Sequence, residues 1–155
     1  VAPEPPPADF PVSENEERLY LTEGVGWGRD VVDVQNGERN QIWHFAIPTV
    51  EGERPTPFQL AAGVADVMNL VSNFGDGGLE FINADATLHL ARLPEGPEIG
   101  LSSTGRVEQD GISVGAAVVF DRTGVIGTAS VSGLANAHRA LDIGEYFRTR
   151  QNIGG

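Results

Sequence analysis

Polar and apolar residues alternate along four runs in the second half of the chain, roughly 79–91, 98–108, 112–120 and 125–135. A period of two places successive side chains on opposite faces of a strand, so each run predicts a half-buried strand. The breaks between them are Pro94-Glu-Gly-Pro97, Asp110-Gly111 and Asp121-Arg-Thr-Gly124, and the Asp-Gly and Thr-Gly pairs are hairpin signals. Upstream, residues 30–36 and 41–47 are short and rich in β-branched and aromatic residues. The Asn36-Gly37 pair lies between them, which predicts two further strands joined as a hairpin.

Between these two groups the period changes to that of a helix. Thr56-Pro57-Phe58-Gln59 combines an N-cap hydroxyl, proline at the first helical position and Gln at N3, the pattern of a capping box. Leu60, Val64, Val67, Met68 and Val71 then recur on one face, and Gly75-Asp-Gly-Gly78 ends the pattern. The expectation is one long helix of about five turns. With two strands before it and a meander of four after it, the fold class is α+β, a single helix facing an antiparallel sheet. His138–Gln151, with Leu141, Tyr146 and Phe147, is read as a short terminal helix.

The strand run Phe81-Ile-Asn-Ala-Asp-Ala-Thr-Leu-His-Leu-Ala-Arg-Leu-Pro94 carries the chemistry of greatest interest. Strict alternation gives it an apolar face of Ile82, Ala84, Ala86, Leu88 and Leu90, and a polar face of Asn83, Asp85, Thr87 and His89. A carboxylate in the middle of that polar row is a candidate general base.

Composition narrows the field. The 155 residues fit one domain and carry a formal net charge of −12, which argues against nucleic acid as a partner. Cys is absent, so there is neither a disulfide framework nor a thiolate site, and the three His are scattered, leaving no zinc motif. No apolar run reaches the roughly 20 residues needed to span a bilayer, so no membrane is expected and the chain reads as cytoplasmic. All ten basic residues are Arg, the coding bias of a GC-rich bacterium. The opening Val-Ala-Pro-Glu-Pro-Pro-Pro-Ala-Asp-Phe is read as a linker, which together with an initial Val predicts the carboxy-terminal part of a longer protein or one product of processing.

The order of elements, and the run Asp85-Ala-Thr-Leu-His-Leu-Ala-Arg-Leu-Pro94 in particular, resemble the hotdog-fold acyl-CoA thioesterases. The match is to the carboxy-terminal half of the double-hotdog, thioesterase II type. It extends from about Asp30 to Ala137 and includes Ile47–Phe58 before the helix and Gly124-Val-Ile-Gly-Thr-Ala-Ser-Val-Ser132 in the last strand. The resemblance implies a hotdog fold, an antiparallel sheet wrapped around one long central helix. It implies a linker or tail over 1–16, a hotdog domain over 17–137 and a tail over 138–155. It also implies an acyl-CoA substrate, no cofactor, and pairing with a second hotdog domain or as a homodimer.

In the catalytic branch of that family an Asp, a Thr or Ser and a Gln orient a water that attacks the thioester carbonyl. Asp85 occupies the Asp position, the hydroxyl position falls near Gly105 with Thr104 beside it, and Ser132 stands where the family has Gln. Asp85, Thr104 and Ser132 are therefore the catalytic candidates. Asp66 and Asn69, on one helix face with Asn73, are candidates for lining the acyl pocket. The expected function is hydrolysis of an acyl-CoA thioester by an Asp-activated water. Two alternatives stay open: a non-catalytic hotdog domain that binds an acyl group or supports its partner half, and a hotdog dehydratase or hydratase. The last needs a His near Asp85, yet His89 lies four residues along the strand, about 13 Å away. His89 and His44 are read as packed or surface side chains.

Overall fold

The computed structural model describes residues 2–11, 18–35, 40–45 and 50–136. In chain order it has β1 (Arg18–Thr22), β2 (Gly26–Gly28), a 3-10 turn (Val31–Val34), β3 (Asn40–Phe45), α1 (Pro57–Ala65) and α2 (Met68–Ser72). A two-residue hairpin follows, β4 (Phe74–Gly75) and β5 (Gly78–Leu79), then β6 (Phe81–Leu90), β7 (Glu98–Gln109), β8 (Ile112–Asp121) and β9 (Gly124–Ala135). Seven strands form one antiparallel sheet in the order β2-β1-β3-β7-β8-β9-β6.

The helix starts where the capping box places it. The Gln59 amide N–H donates to Thr56 Oγ1 at 3.3 Å, and the Thr56 N–H donates to Gln59 Oε1 at 2.8 Å. It does not run on as one long helix. At Asp66-Val67 the ladder tightens, with the Val67 N–H donating to the Val64 carbonyl and the Leu70 N–H to the Val67 carbonyl, both at 3.0 Å. These are three-residue steps, and the segment around them is rich in poor helix formers: Gly63, Asp66, Asn69, Ser72 and Asn73. The apolar stripe survives the break, because a 3-10 step turns the chain only slightly more per residue than an α-helix. Val64, Val67, Met68 and Val71 are buried and share one core with Ile42, Leu101, Val119 and Val131 of the sheet. Helix and sheet pack closely at Gly115, where an added Cβ would lie 2.3 Å from the Ser72 Cβ.

Two further expectations are corrected. Residues 31–34 form a 3-10 turn instead of a strand, because the Asp30 side chain accepts from the Val32 N–H at 2.9 Å and caps it. The hairpin β1–β2 escaped notice, being short and interrupted by glycine. The four later strands are not a simple meander, since β6 pairs with β9 and not with its sequence neighbour β7. The Asn36-Gly37 turn and the helix read into His138–Gln151 lie outside the described residues.

The opposite face of the sheet holds a second cluster of Leu19, Trp43 and Phe120, with Phe10, Trp27 and Phe45 packed against it. Gly100 makes room for the Phe120 ring, which would lie 2.3 Å from a Cβ there. The Pro-rich stretch lies against this cluster. Gln41 Nε2 donates to the Ala2 carbonyl at 2.8 Å while its Oε1 accepts from the Glu4 N–H at 3.1 Å, and Arg122 Nη1 donates to the Pro6 carbonyl at 3.0 Å.

The connection from β6 back to β7 passes the hairpin end that joins β8 to β9, and an ion pair fixes it there. Arg92 Nη1 and Nη2 donate to the two carboxylate oxygens of Asp121 at 2.7 and 2.8 Å. The same carboxylate accepts from the Glu95 N–H, the Thr123 N–H and the Thr123 hydroxyl, and Asp121 is buried. The Arg92 hydrogen bonds hold its carboxyl well below the usual carboxylate range. Burial opposes them, and the Glu95 and Thr123 donors add to them. A lowered carboxyl stabilises the fold above the ordinary carboxylate pKa, about 3.9, and that contribution is lost as pH falls through the folded value. Asp121→Asn should lower the melting temperature at pH 7 by roughly 5–10 °C. Thermal scans at decreasing pH should show the gap from the unmodified chain beginning to close only in the acid range below the ordinary carboxylate pKa; a gap constant down to pH 2 would remove the clamp from the account.

Candidate active site

A single extra residue decides which side chains share a face. Along β6 and β9, Phe81 pairs with Ala135 and Asn83 with Gly133, but Asp85 pairs with Ser132, so Ala84 is a β-bulge. Because the side-chain period is two, the bulge exchanges the faces. Before it the odd residues turn toward the helices, and Phe81 is buried. After it the even ones do, and Leu88 and Leu90 pack on the core. The uniform apolar face expected from Ile82 to Leu90 is therefore split. Ile82 emerges on the face away from the helices, 55% exposed, and Asn83 leaves the polar row to lie beneath α2, where its Nδ2 contacts the Asp66 carbonyl at 3.5 Å.

On the outer face the register builds a cross-strand row of Asp85, Ser132, Val114 and Val107. The next row is Thr87, Ser130, Ala116 and Gly105. Asp85 and Ser132 are thus brought side by side. The Thr87 hydroxyl donates to Asp85 Oδ2 at 3.5 Å, and Thr87 is paired in turn with Ser130. One carboxylate and three hydroxyls sit in a two-by-two block beside the sheet edge. Ser130 and Thr128 do share the face of Ser132, as alternation predicts, and His89 lies opposite Thr128 on the same side. The Asp85 carboxylate and the His89 imidazole stand four residues apart along the strand, opposite Ser132 and Thr128.

Thr104 is not brought to this block. It is itself a bulge, since Ser103 pairs with Ala117 and Gly105 with Ala116. Unbroken alternation would put Ser102, Thr104 and Arg106 on one face, but the bulge leaves Ser102 and Arg106 on opposite faces. Thr104 belongs to β7, three strands from β6 and about 14 Å away at ~4.8 Å per strand.

Asp66 and Asn69 lie on the helix side of the sheet, away from Asp85. Asp66 is exposed at the break between α1 and α2. Asn69 Nδ2 donates to the Phe81 carbonyl at 2.9 Å, and its Oδ1 accepts from Asn73 Nδ2 at 2.7 Å. Asn73 Oδ1 accepts from Arg106 Nε at 2.8 Å, and the Arg106 guanidinium lies 5.0 Å from the centre of the Phe81 ring. The polar stripe on the helix therefore ties the start of β6 to the helix end and to β7. Among the histidines, His44 accepts from Arg18 Nε at 3.3 Å. Burial, and then the Arg18 charge, bring its pKa down to about 4, so the imidazole is neutral at physiological pH. No group of three side chains suited to holding a metal ion occurs among the described residues.

The block has an apolar border. Ile82, Leu134 and Ile112 form the adjacent row on the same face, and with Val114 and Val107 they are 51–73% exposed. A contiguous patch of this kind marks an interaction or ligand surface. Sequence alternation named Thr87 as part of a polar row but attached no role to it. The signal that would have found it is its spacing of two from Asp85 on one strand, together with Ser130 two residues before Ser132.

The register has a direct chemical test, because the chain holds no cysteine of its own. Side chains directly opposite across two strands have Cβ atoms about 5 Å apart, within disulfide reach, whereas 14 Å is far beyond it. The Asp85→Cys, Ser132→Cys double variant should oxidise to an intramolecular disulfide, detected as a loss of two free thiols in the monomeric species. Asp85→Cys with Thr104→Cys should keep both thiols; the reverse pattern would overturn the placement of the bulges.

Comparison with known proteins agrees with the geometry. The family model for the acyl-CoA thioesterase C-terminal domain matches residues 1–134. No curated protein matches. A candidate thioesterase of Syntrophus aciditrophicus SB has a similar crystal structure, with a TM-score of 0.55 at 8% identity, covering 81% of this chain and 88% of that one. A protein from the thioesterase superfamily superposes with a TM-score of 0.50 at 12% identity, over 64% of this chain and 80% of its own. At such identities these two speak for the fold alone: an antiparallel sheet packed on a short, broken helix, in keeping with a hotdog. The family model spans most of the sequence, and the chain belongs to the acyl-CoA thioesterase C-terminal domain family.

Proposed function

We propose that this domain hydrolyses an acyl-CoA thioester with a water activated by Asp85. The observation that carries the reading is the position of Asp85. In a domain of the acyl-CoA thioesterase family, it stands beside three hydroxyl groups and at the border of an exposed aliphatic patch. A carboxylate takes the proton of a water, hydroxyl groups hold that water in line, and an apolar surface receives the acyl tail. Oxygen attacks the carbonyl carbon as its proton passes to Asp85. The tetrahedral oxyanion then collapses, the C–S bond breaks, and the proton returns to the leaving thiolate. The products are the free acid and CoA.

Pairing belongs to the same proposal. Among the described residues, the sheet ends on one side in the three-residue β2 and on the other in the ten-residue β6. A short edge is protected by its length, whereas a long one offers a row of backbone donors and acceptors. β6 has neither Lys nor Pro to blunt it. A second hotdog unit, either another copy of this chain or a different hotdog domain, would extend the sheet at β6 and reduce the exposure of the Asp85 block.

One observation favours the non-catalytic reading. Asp85 is exposed, and the donor found near it, the Thr87 hydroxyl, is 3.5 Å away. A working base is usually held in a drier, better ordered setting. The partner would have to supply that setting, and a unit that only supports its partner would not need it.

Thiol release from short, medium and long acyl-CoA substrates separates the readings. The unmodified chain should turn over, and Asp85→Ala should lose about 10²-fold or more in kcat. Val114→Asp, which places a charge in the apolar patch, should raise KM for long acyl chains several-fold and leave short ones nearly unchanged. A folded, paired chain that releases no thiol from any of them is the outcome that establishes a silent supporting unit.

A further inference from the structure

We infer that Thr87 is the hydroxyl that serves Asp85, positioning both the carboxylate and the attacking water; the inference rests on the hydrolase reading above. The hydroxyl expected from sequence, Thr104, sits on another strand about 14 Å away and cannot share a water with Asp85. Thr87 is two residues along the same strand. The bulge at Ala84 lies before both residues, so they keep the same face, and the Thr87 hydroxyl donates to Asp85 Oδ2.

The chemistry of the pair is complementary. A hydroxyl donates once and accepts twice, so Thr87 can donate to Oδ2 and still accept from a water. An ionised carboxylate keeps its second oxygen free for the other water proton. Held at those two points, the water has both hydrogens occupied and a lone pair directed away from the strand. That arrangement places the nucleophile without a third side chain. It explains how the site works with Ser132, a shorter side chain than Gln, in the position next to Asp85.

The setting of Thr87 suits the role. It is half-buried where Asp85 is exposed, and it faces the half-buried Ser130 across the β6–β9 pair. A β-branched side chain on a strand has few accessible χ1 states, which fixes its hydroxyl better than a serine at the same point. Thr87 therefore orders an otherwise mobile carboxylate. It is a positioning residue, and Asp85 remains the group that exchanges the proton.

The test uses the full chain and compares Thr87→Val, Thr87→Ser, Thr104→Val and Asp85→Ala on one acyl-CoA that the unmodified chain hydrolyses. Valine keeps the β-branched shape and suits a strand, so folding is preserved, and matching melting temperatures check that. Thr87→Val should lower kcat about 30-fold with KM within two-fold, as expected for loss of orientation without loss of binding. Thr87→Ser should recover kcat to within about three-fold, and Thr104→Val should leave it unchanged. Full activity in Thr87→Val alongside an inactive Asp85→Ala overturns the role of Thr87 and leaves the hydrolase standing. No turnover by the unmodified chain with any acyl-CoA overturns both. A fall in activity that serine does not restore assigns Thr87 to packing and also overturns the proposal.

Discussion

The extra residue at Ala84 sets the side of the sheet on which Asp85 appears. Without it, the alternation established by the buried Phe81 would carry Asp85 onto the helix side, against the apolar core. Burying an ion in that way costs several kcal/mol. The bulge avoids the cost, and in doing so it gathers Asp85, Thr87, Ser130 and Ser132 on the open face and frees Ile82 to join Leu134 and Ile112 there. The bulge is held at its start by Asn69, which binds the Phe81 carbonyl, and by Arg106, which lies on the Phe81 ring and binds Asn73. The helix polar stripe therefore acts on the site through the backbone of β6.

This division of labour separates what could be read in the sequence from what could not. Strong local signals were legible. The Thr56/Gln59 capping box, the Val64-to-Val71 stripe and the four alternating runs all appear where their periods place them. What remained hidden depends on contacts distant in sequence. Pairing of β6 with β9 joins residues about 45 apart and is closed by Arg92 on Asp121, and nothing local distinguishes it from a hairpin with β7. Bulges are equally silent, since Ala84 and Thr104 are ordinary strand residues whose extra count shows only against a partner strand. Only the register reveals that Asp85 stands beside Ser132 and that Thr104 lies three strands away. In the same way, only the folded chain shows both amide atoms of Asn69 engaged, with the Phe81 carbonyl and with Asn73.

The helix break follows from the same economy. A continuous helix through Asp66 would rest on residues that favour caps and turns, and the side chains of Asn69 and Asn73 would still need partners. By tightening at Val67, the segment keeps its apolar stripe on the core and turns its asparagines toward β6 and β7. The fold tolerates this because burial of the stripe, and not helix propensity, supplies most of the stability of short helices.

The site and the free edge occupy one strand, and each limits the other. Among the described residues no strand lies beyond the ten-residue β6, and such an edge tends to recruit a partner, yet the side chains proposed to work on a thioester lie across the sheet from the core, in water. In high dielectric a carboxylate and a hydroxyl interact weakly; in a drier setting the same groups interact several times more strongly. A partner strand on β6 would satisfy the edge and reduce the exposure of Asp85 and Thr87 together. On the proposed reading, assembly and activity would then be linked by geometry, because Asp85 stands on the strand that a neighbour would extend.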